Sequence, residues 1–269
     1  MYSITHPPTE AKATALLRSC VWADGRPRCP RCRTVHVRGS EDRYHCRRCR
    51  RKFSLYSGTW LTGCRLSPRT LWKLIWCWQQ GYAPGQMAEL SGVSPQCVSR
   101  ILPRLRAHLP RMSPKLAGIV EVDETCVGHT KHGGQRWVMG TILRSSPRKI
   151  ALRLVADREQ ETTDRFLLDH VSQRSLVITD GWQAYRHIEE FFGYGHRIAN
   201  HERGDLGPTN RIESLWSAFD RWRLRQYGTP RRSHLQGIVW EYQARISTPE
   251  FFDSPLSFLK NALSAVPRG

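Results

Sequence analysis

Two CxxC pairs near the N-terminus constrain the fold of this chain more than any other feature of its sequence. The first pair is Cys29 and Cys32, the second is Cys46 and Cys49, and thirteen residues separate them. Each pair forms a tight turn that directs two thiolates towards one point, and two such turns across a short hairpin complete a tetrahedral zinc site. The spacing therefore predicts a zinc ribbon in which these four cysteines bind a structural Zn²⁺ ion.

The remaining sequence features indicate a reducing compartment. The other cysteines show no pairing pattern, and we interpret them as small buried apolar residues. No stretch approaches the roughly 20 apolar residues of a membrane-spanning helix, and residues 1–10 lack the features of a signal peptide. Because CxxC pairs without a secretory signal are typical of reduced, metal-binding proteins, we expect an intracellular, cytoplasmic protein without a membrane partner.

The chain is strongly basic. Its 269 residues include 42 Lys and Arg against 23 Asp and Glu, which gives a formal net charge of +19. An excess this large favours a polyanionic partner, most often nucleic acid, and a basic surface without a partner is the alternative. Six cations surround the second cysteine pair, namely Arg43, Arg47, Arg48, Arg50, Arg51 and Lys52. We predict that they contact DNA phosphates, whereas a solvated charged face is the competing interpretation.

Residues 64–112 show the pattern of a helix-turn-helix. Apolar spacing predicts a first helix over 68–78, a short second helix over 86–90 and a third helix with Ser94 as its N-cap. The outer face of the third helix is polar, as in a recognition helix that enters the major groove. The residues on that face are Gln96, Ser99, Arg100 and Arg104. Pro103 inside this helix predicts a kink, and three helices that only connect domains are the alternative.

The rest of the chain alternates between strands and helices. Strands are predicted over 119–125, 136–143, 149–155 and 176–179, and helices over 162–171 and 181–191. A meander of three strands, then a helix and a further strand, is the order of the ribonuclease-H-like fold. The predicted fold class is therefore α+β and multidomain. It comprises an N-terminal helix with a zinc ribbon (1–58), a helix-turn-helix region (64–112) and a ribonuclease-H-like mixed α/β catalytic domain with C-terminal helices (115–269).

Three acidic residues occupy suggestive places in that last region. Asp123 lies near the end of one predicted strand, Asp180 ends another, and Glu213 lies in the first turn of an amphipathic helix. Attack on a phosphodiester needs two hard cations about 3.5–4 Å apart, and Mg²⁺ binds one or two carboxylates while it keeps places for water and phosphate oxygens. In so basic a chain, the three acids predict a Mg²⁺ (or Mn²⁺) site that acts on a phosphodiester.

Each of these assignments has an alternative that the residues leave open. Glu124 could take the place of Asp123, because both lie at the end of the same strand. Asp180 could be only a turn residue. Asn210 lies one helical turn before Glu213 on the same face, so that it could orient Glu213, contact DNA or share the metal.

Several segments together resemble a known family. They are LRSCVWADGRPRCPRC (17–32), VEVDET (120–125), TDGWQAY (179–185), TNRIESLW (209–216) and HLQ (234–236). In this order they are similar to the ISXO2-like transposases of the IS1595 family, and the resemblance covers almost the whole chain. It implies a zinc ribbon, a helix-turn-helix and a ribonuclease-H-like DDE domain that cuts and joins the ends of an insertion sequence.

The resemblance also implies roles and partners. It assigns the two catalytic aspartates to Asp123 and Asp180. At the third position some family members have an asparagine with a later lysine in place of the glutamate, whereas this chain has both Asn210 and Glu213 and no lysine in that helix. The implied partner is double-stranded DNA, bound at the terminal inverted repeats by a homo-oligomer in the nucleoid of a prokaryote. A DNA-binding regulator with an inactive catalytic domain and a nuclease that cannot join strands are the alternative functions.

Overall fold

A computed structural model of the chain describes residues 3–40, 43–110, 115–128, 136–199 and 210–264. The chain divides into two compact units, one formed by Met1–His108 with Glu250–Gly269 and the other by Leu109–Pro249. The first unit contains a three-stranded sheet and the second a five-stranded sheet. None of the helices in the described part of the chain combines the length and apolarity that crossing a lipid bilayer requires.

The first unit opens with helix α1 (Glu10–Val21), which begins where the Thr9 side chain accepts a hydrogen bond from the backbone of Lys12. Three short antiparallel strands follow in the order β1 (Val37–Ser40), β2 (Arg43–Cys46) and β3 (Lys52–Ser54). One face of this sheet is apolar, because the rings of Tyr44 and Phe53 stack at 5.4 Å and Trp22 packs edge-on against Tyr44 at 5.2 Å. Packed aromatic rings thus cover one side of the sheet.

Three helices occupy the region for which a helix-turn-helix was predicted. They are α2 (Pro68–Gln79), α3 (Pro84–Ser91) and α4 (Pro95–Ala107). The Ser94 side chain accepts the N–H of Cys97 and so starts α4, as the sequence indicated. Gly92 between α3 and α4 has a φ of +70°, a conformation that glycine adopts without strain. Helix α4 continues through Pro103 to Ala107.

The second unit is a mixed sheet flanked by helices. Its first half consists of β4 (Ile119–Val127), β5 (Arg136–Leu143), β6 (Ile150–Val155) and α5 (Gln160–His170). Its second half consists of β7 (Leu176–Thr179), a 3-10 helix (Gln183–Tyr185), α6 (Ile188–Phe192), β8 (Gly195–Ile198), α7 (Asn210–Tyr227) and α8 (Arg232–Ser247). The strand order is β6-β5-β4-β7-β8, in which β4, β5 and β6 are antiparallel and β7 and β8 run parallel to β4.

Strand β4 lies at the centre of this sheet and contributes to two separate apolar cores. Val120 and Val122 belong to a core on one face, together with residues of α5 and the 3-10 helix. Val127 belongs to a core on the other face, which is formed with α7 and α8. Because side chains alternate along a strand, Glu121 and Asp123 point to the α7 face. This alternation decides which side chains of the VEVDET segment meet α7.

Two features of the second unit differ from the sequence prediction. The single helix expected over 181–191 is a 3-10 helix followed by the short α6. Strand β8 was not predicted, because its residues GHRI show neither alternation nor an apolar run. It is recognised in the structure because it pairs with β7, where Val177 lies opposite His196.

The last helix, α9 (Pro255–Ser264), belongs to the first unit. It packs against α1 and α2. The side chain of Gln79 at the end of α2 donates hydrogen bonds to the carbonyls of Phe251 and Ser254 at 2.8 and 2.9 Å, and so holds the segment that leads into α9. The predicted boundaries 1–58, 64–112 and 115–269 had grouped this helix with the catalytic domain.

Candidate active site and metal centre

The four cysteines of the two CxxC pairs meet at one end of the ribbon sheet. Their Sγ atoms all lie within 4.8 Å of one another, with 3.5 Å between Cys29 and Cys49 and 3.5 Å between Cys32 and Cys46. All four are free thiols. Zn–S bonds of about 2.3 Å in a tetrahedron place sulfur atoms about 3.8 Å apart, so this donor set fits a zinc ion.

The backbone shapes both cysteine pairs in the same way. The residue after each pair has a positive φ, 58° at Arg33 and 56° at Arg50. The N–H of Arg33 donates to the carbonyl of Cys29 at 2.9 Å, and the N–H of Cys49 donates to the Sγ of Cys46 at 3.4 Å. This backbone N–H of Cys49 lowers the pKa of the Cys46 thiol to about 6. It therefore favours the thiolate, which is the form that binds metal.

Asp123 on β4 lies beside Asp180, which comes directly after the neighbouring strand β7. Strands β4 and β7 pair in parallel with Glu121 opposite Ile178, so that the same register continued by two residues brings Asp123 next to Asp180. Asp180 follows β7 directly, and its Oδ1 accepts the N–H of Trp182 at 3.0 Å. Asp180 thus forms a turn and lies beside a second carboxylate at the same time.

Charge and burial both act on the Asp123 carboxyl group. Its pKa is raised to about 7, chiefly by burial and also by the negative charges of Glu124 and Asp180, against the hydrogen bonds from the backbone N–H of Glu124 and from Trp216. A carboxyl group whose pKa is raised by burial and by neighbouring acids is typical of functional sites. A divalent cation bound between Asp123 and Asp180 would relieve this repulsion.

Helix α7 brings Glu213 and Asn210 to the same face of the sheet. One turn after Glu213, the indole Nε1 of Trp216 donates to Oδ2 of Asp123 at 3.0 Å. The indole has room because the residue opposite Asp123 on β5 is Gly140, where a Cβ atom would lie 2.5 Å from the Trp216 ring. The side chains of Asn210 and Glu213 are exposed.

The three acids are more widely spaced than the cysteines. Within the described residues, the four cysteines form the one group of three or more potential ligands whose atoms all lie within 4.8 Å. Asp123 and Asp180 are neighbours, and Glu213 is an exposed residue of α7 three positions before Trp216, which is bonded to Asp123. Such an arrangement is open, as a site that must admit a substrate has to be.

Glu124, the competitor of Asp123 in the sequence, points to the opposite face of β4. Its carboxylate accepts a hydrogen bond from the hydroxyl of Tyr185 at 2.8 Å and forms an ion pair with Arg158 at 3.4 Å. Burial raises the pKa of Glu124, and the hydrogen bond from Tyr185 opposes that rise. Protein side chains therefore already satisfy this carboxylate.

Arg158 links Glu124 to the turn that holds Asp180. Its guanidinium carbon lies 3.9 Å from the centre of the Trp182 ring and 4.7 Å from that of Trp137. Cation–π contacts of this kind stabilise by about 0.5–2 kcal/mol each. Since Trp182 follows Asp180 by two residues, the stack holds the Asp180 turn against the sheet.

Glu121 is a further residue near this site that the sequence did not reveal. This residue is fully buried in β4. One carboxylate oxygen accepts Nε of Arg144 at 2.7 Å, and the other accepts the backbone N–H groups of Arg211 and Ile212 at 3.0 and 2.9 Å. A charged residue between two valines of a central strand is the signal that could have found it.

The six predicted DNA-binding cations of the ribbon are all exposed. The strand register adds two further residues to them, because Arg38 pairs with His45 and His45 pairs with Lys52. These three residues and Arg43 line a groove of about 670 Å³, to which Tyr44 and Phe53 also contribute. Because side chains alternate along a strand, Arg38, His45 and Lys52 lie on the side of the sheet opposite the Tyr44 and Phe53 side chains.

The predicted recognition residues of α4 divide into two groups. Gln96, Ser99 and Arg100 are exposed. Arg104 is half-buried, and its guanidinium donates to the backbone carbonyls of Trp60 and Thr62. Arg104 thus holds the segment before α2 against α4, which occupies donors that DNA contact would need.

These observations define a class: a protein that combines a four-cysteine ribbon with a mixed-sheet unit carrying clustered carboxylates. Two family models agree with that class. The ISXO2-like transposase domain matches residues 115–245, and the transposase zinc-ribbon domain matches residues 8–52. Together they cover more than half of the chain, which belongs to the IS1595 family of ISXO2-like transposases. The resemblance inferred from the motifs is confirmed, and the ribbon with its four cysteines supports a structural zinc ion.

Other comparisons add little. No curated protein sequence matches this chain significantly. Among solved structures, the chain is similar to one from a cryo-EM structure of a simian T-cell lymphotropic virus intasome in complex with PP2A regulatory subunit B56 gamma. The two share 12% sequence identity with a TM-score of 0.32, over 62% of this chain and 67% of that chain. A TM-score this low supports no conclusion about fold or function.

Proposed function

We propose that this protein is a DNA transposase that binds the terminal inverted repeats of an insertion sequence and catalyses metal-dependent strand cleavage and strand transfer. One observation carries the proposal. In a chain of a transposase family, Asp123 on β4 lies beside Asp180, which directly follows β7, and the helix that carries Glu213 is bonded to Asp123.

The acids would hold two Mg²⁺ or Mn²⁺ ions, which activate the attacking oxygen and stabilise the leaving oxygen of an in-line displacement. The chain's own contribution is to place the ligands. Trp216 holds the Asp123 carboxylate, and the N–H of Trp182 holds that of Asp180. Asn210 lies one turn before Glu213 on an exposed helix face, from which it can orient Glu213 or contact DNA.

The architecture supports the same function. An antiparallel meander followed by a helix and parallel strands supports a ribonuclease-H-like fold for the second unit. A three-residue turn containing Gly92 between α3 and α4 supports a helix-turn-helix. We assign base contacts to the exposed Gln96, Ser99 and Arg100, and phosphate contacts to the basic face of the ribbon, including Arg38.

Cleavage and joining of DNA that carries the gene's own flanking sequences test the proposal. Wild-type protein would be incubated with this DNA and Mg²⁺ or Mn²⁺ beside Asp180→Asn and the matched control Asp169→Asn, which changes an exposed acid of α5 paired with Arg153. We expect cuts at the element ends and joined products from the wild type and the control, and neither from Asp180→Asn. Cuts without joined products would indicate a nuclease, and binding without cuts a regulator.

A further inference from the structure

Glu121 is buried where a charge is costly. Its side chain is 0% exposed, and its neighbours Val120 and Val122 are also fully buried. A carboxylate taken out of water is strongly unfavourable unless hydrogen bonds and an opposite charge replace its hydration. An apolar residue would fill this place in the strand without that cost, so that the presence of a carboxylate needs an explanation.

The two oxygens of Glu121 bind two different parts of the unit. Oε1 accepts Nε of Arg144 at 2.7 Å, just after β5. Oε2 accepts the N–H groups of Arg211 and Ile212 at 3.0 and 2.9 Å, in the first turn of α7. The first N–H groups of a helix have no partner within it, and negative charge is favoured at that end. Glu121 therefore caps α7 from a strand 90 residues earlier in the chain.

Helix α7 is bonded to the same face of β4 at a second point, where Trp216 donates to Asp123. Glu121 and Asp123 are about 6.6 Å apart along the strand. Ile212 and Trp216 are about 6 Å apart along the helix. Because the two bonds follow the same order along both elements at similar spacing, the first turns of α7 run alongside β4 in the same direction. Glu213 lies between the two points of attachment.

We propose that Glu121 is a positioning residue for the third acid of the active site. By bonding the start of α7 to β4, it sets the position of the helix along the strand and so places Glu213 opposite Asp123. This inference rests on the proposed function, because it assigns Glu213 to the metal site. Without the cap, the first turn of α7 loosens, and a displacement of about 1 Å at a reacting centre can cost about 100-fold in rate.

Two variants of Glu121 and one control test the role. Glu121→Gln removes the charge, whereas Glu121→Asp keeps it and withdraws it by one methylene from the helix and from Arg144. The control is Glu241→Gln, because Glu241 is also 0% exposed and is bonded to Arg245 and to Tyr227 at the far end of α7. For each variant we would measure the cleavage rate, the Mg²⁺ concentration at half-maximal rate, the melting temperature and the affinity for DNA.

We expect both Glu121 variants to lower the cleavage rate about 100-fold and to raise the half-saturating Mg²⁺ concentration, with unchanged affinity for DNA. Glu241→Gln should lower the melting temperature without moving the Mg²⁺ dependence. In a Glu213→Asp background, where the ligand is already displaced, Glu121→Gln should lower the cleavage rate little further. If Glu121→Gln does not fold, Glu121→Asp and its Mg²⁺ dependence decide.

Two results would overturn the inference while the transposase assignment stands. One is an active wild type in which the Glu121 and Glu241 variants lose activity equally at unchanged Mg²⁺ dependence. The other is a double variant in which the fold loss in cleavage rate equals the product of the losses in Glu121→Gln and in Glu213→Asp. A wild type without any metal-dependent cleavage would overturn the assignment itself, and the inference with it.

Discussion

The cysteine cluster of the first unit and the carboxylate cluster of the second are both candidate metal sites, but the chain builds them differently. The cysteines come from two tight turns between Cys29 and Cys49, and their sulfur atoms already lie within 4.8 Å of one another. The acids come from β4, from the turn after β7 and from α7, and they span residues 123–213. A local backbone pattern therefore suffices for the first site, whereas the second forms only after a sheet and a helix have packed.

The protein environment shifts the pKa of one residue in each site in opposite directions. In the ribbon, a backbone N–H lowers the pKa of Cys46 to about 6. In the second unit, burial and neighbouring charge raise the pKa of Asp123 to about 7. The thiolate of Cys46 is thus stabilised by the chain that surrounds it, whereas burial and hydrogen bonds from the neighbouring thiols raise the pKa of Cys49 to about 11 against the backbone N–H of Arg51. The Asp123 carboxylate is held by the hydrogen bond from Trp216 against burial and neighbouring negative charge. A closed ligand set is typical of a structural metal and an open one of a catalytic metal.

The largest effect should come from a change in the four-cysteine site, which we call the closed site; the acids form the open site. Cys46→Ser should abolish zinc binding and unfold the ribbon, because a structural zinc contributes about 10–16 kcal/mol to the folding of a small domain and a sheet of three short strands is marginal by itself. The measurements are zinc content and affinity for DNA. Cys126→Ser, which changes a cysteine outside the cluster, should keep one zinc per chain. A Cys46→Ser protein with full zinc content would contradict the structural role.

At the open site, Asp123→Asn should lower the rate of cleavage by at least about 100-fold, since even the outer partners of a metal site contribute 10–100-fold. The same change should not lower the melting temperature, because it removes a buried charge and keeps an acceptor for Trp216. Cleavage assays and thermal unfolding measure the two effects. A large fall in melting temperature would show that Asp123 stabilises the fold, as the cysteines do.

The raised pKa of Asp123 predicts how stability depends on pH in the zinc-loaded protein without added Mg²⁺. Its folded pKa of about 7 lies above the ordinary value of 3.8, so that between these pH values the folded state holds a proton that the unfolded state has lost. The Asp123 carboxyl group therefore contributes on the order of 2 kcal/mol to the free energy of unfolding, after solvent screening. This contribution is fully present below about pH 4 and is lost as the pH rises through about 7.

Urea unfolding at pH 5 and pH 8 measures this effect. We expect the wild type to lose more stability than Asp123→Asn over that interval, so that the difference between the two isolates this carboxyl from all other titrating groups. Equal losses in the two proteins would mean that the fold tolerates the Asp123 charge.

The smallest effect concerns the surface of the ribbon. Arg48→Gln should weaken DNA binding for all sequences and reduce the slope of log K against log salt concentration by about 1, because one phosphate contact is lost. Zinc content should stay unchanged, which separates the surface of the closed site from its ligands. Arg165→Gln changes an exposed arginine of α5 and serves as the control. An unchanged salt slope would place Arg48 outside the DNA interface.

Local signals made part of the molecule predictable. The spacing of the cysteines led to the ribbon, Ser94 marked the start of α4, and the apolar runs marked β4 and β7. The missed features lack such signals. Strand β8 is recognised only through its pairing with β7, and the cap of α7 comes from the distant Glu121.

The sequence by itself identified the candidate site residues and the elements on which most of them lie. It also determined the family, because several motifs in a fixed order distinguish one family from others. Only the tertiary structure decided how the acids are arranged: that Asp123 and not Glu124 faces α7, and that Glu121 caps the helix that bears Glu213. The physical reason is that these contacts join residues 61–93 positions apart, and no local preference of the chain encodes where such residues meet.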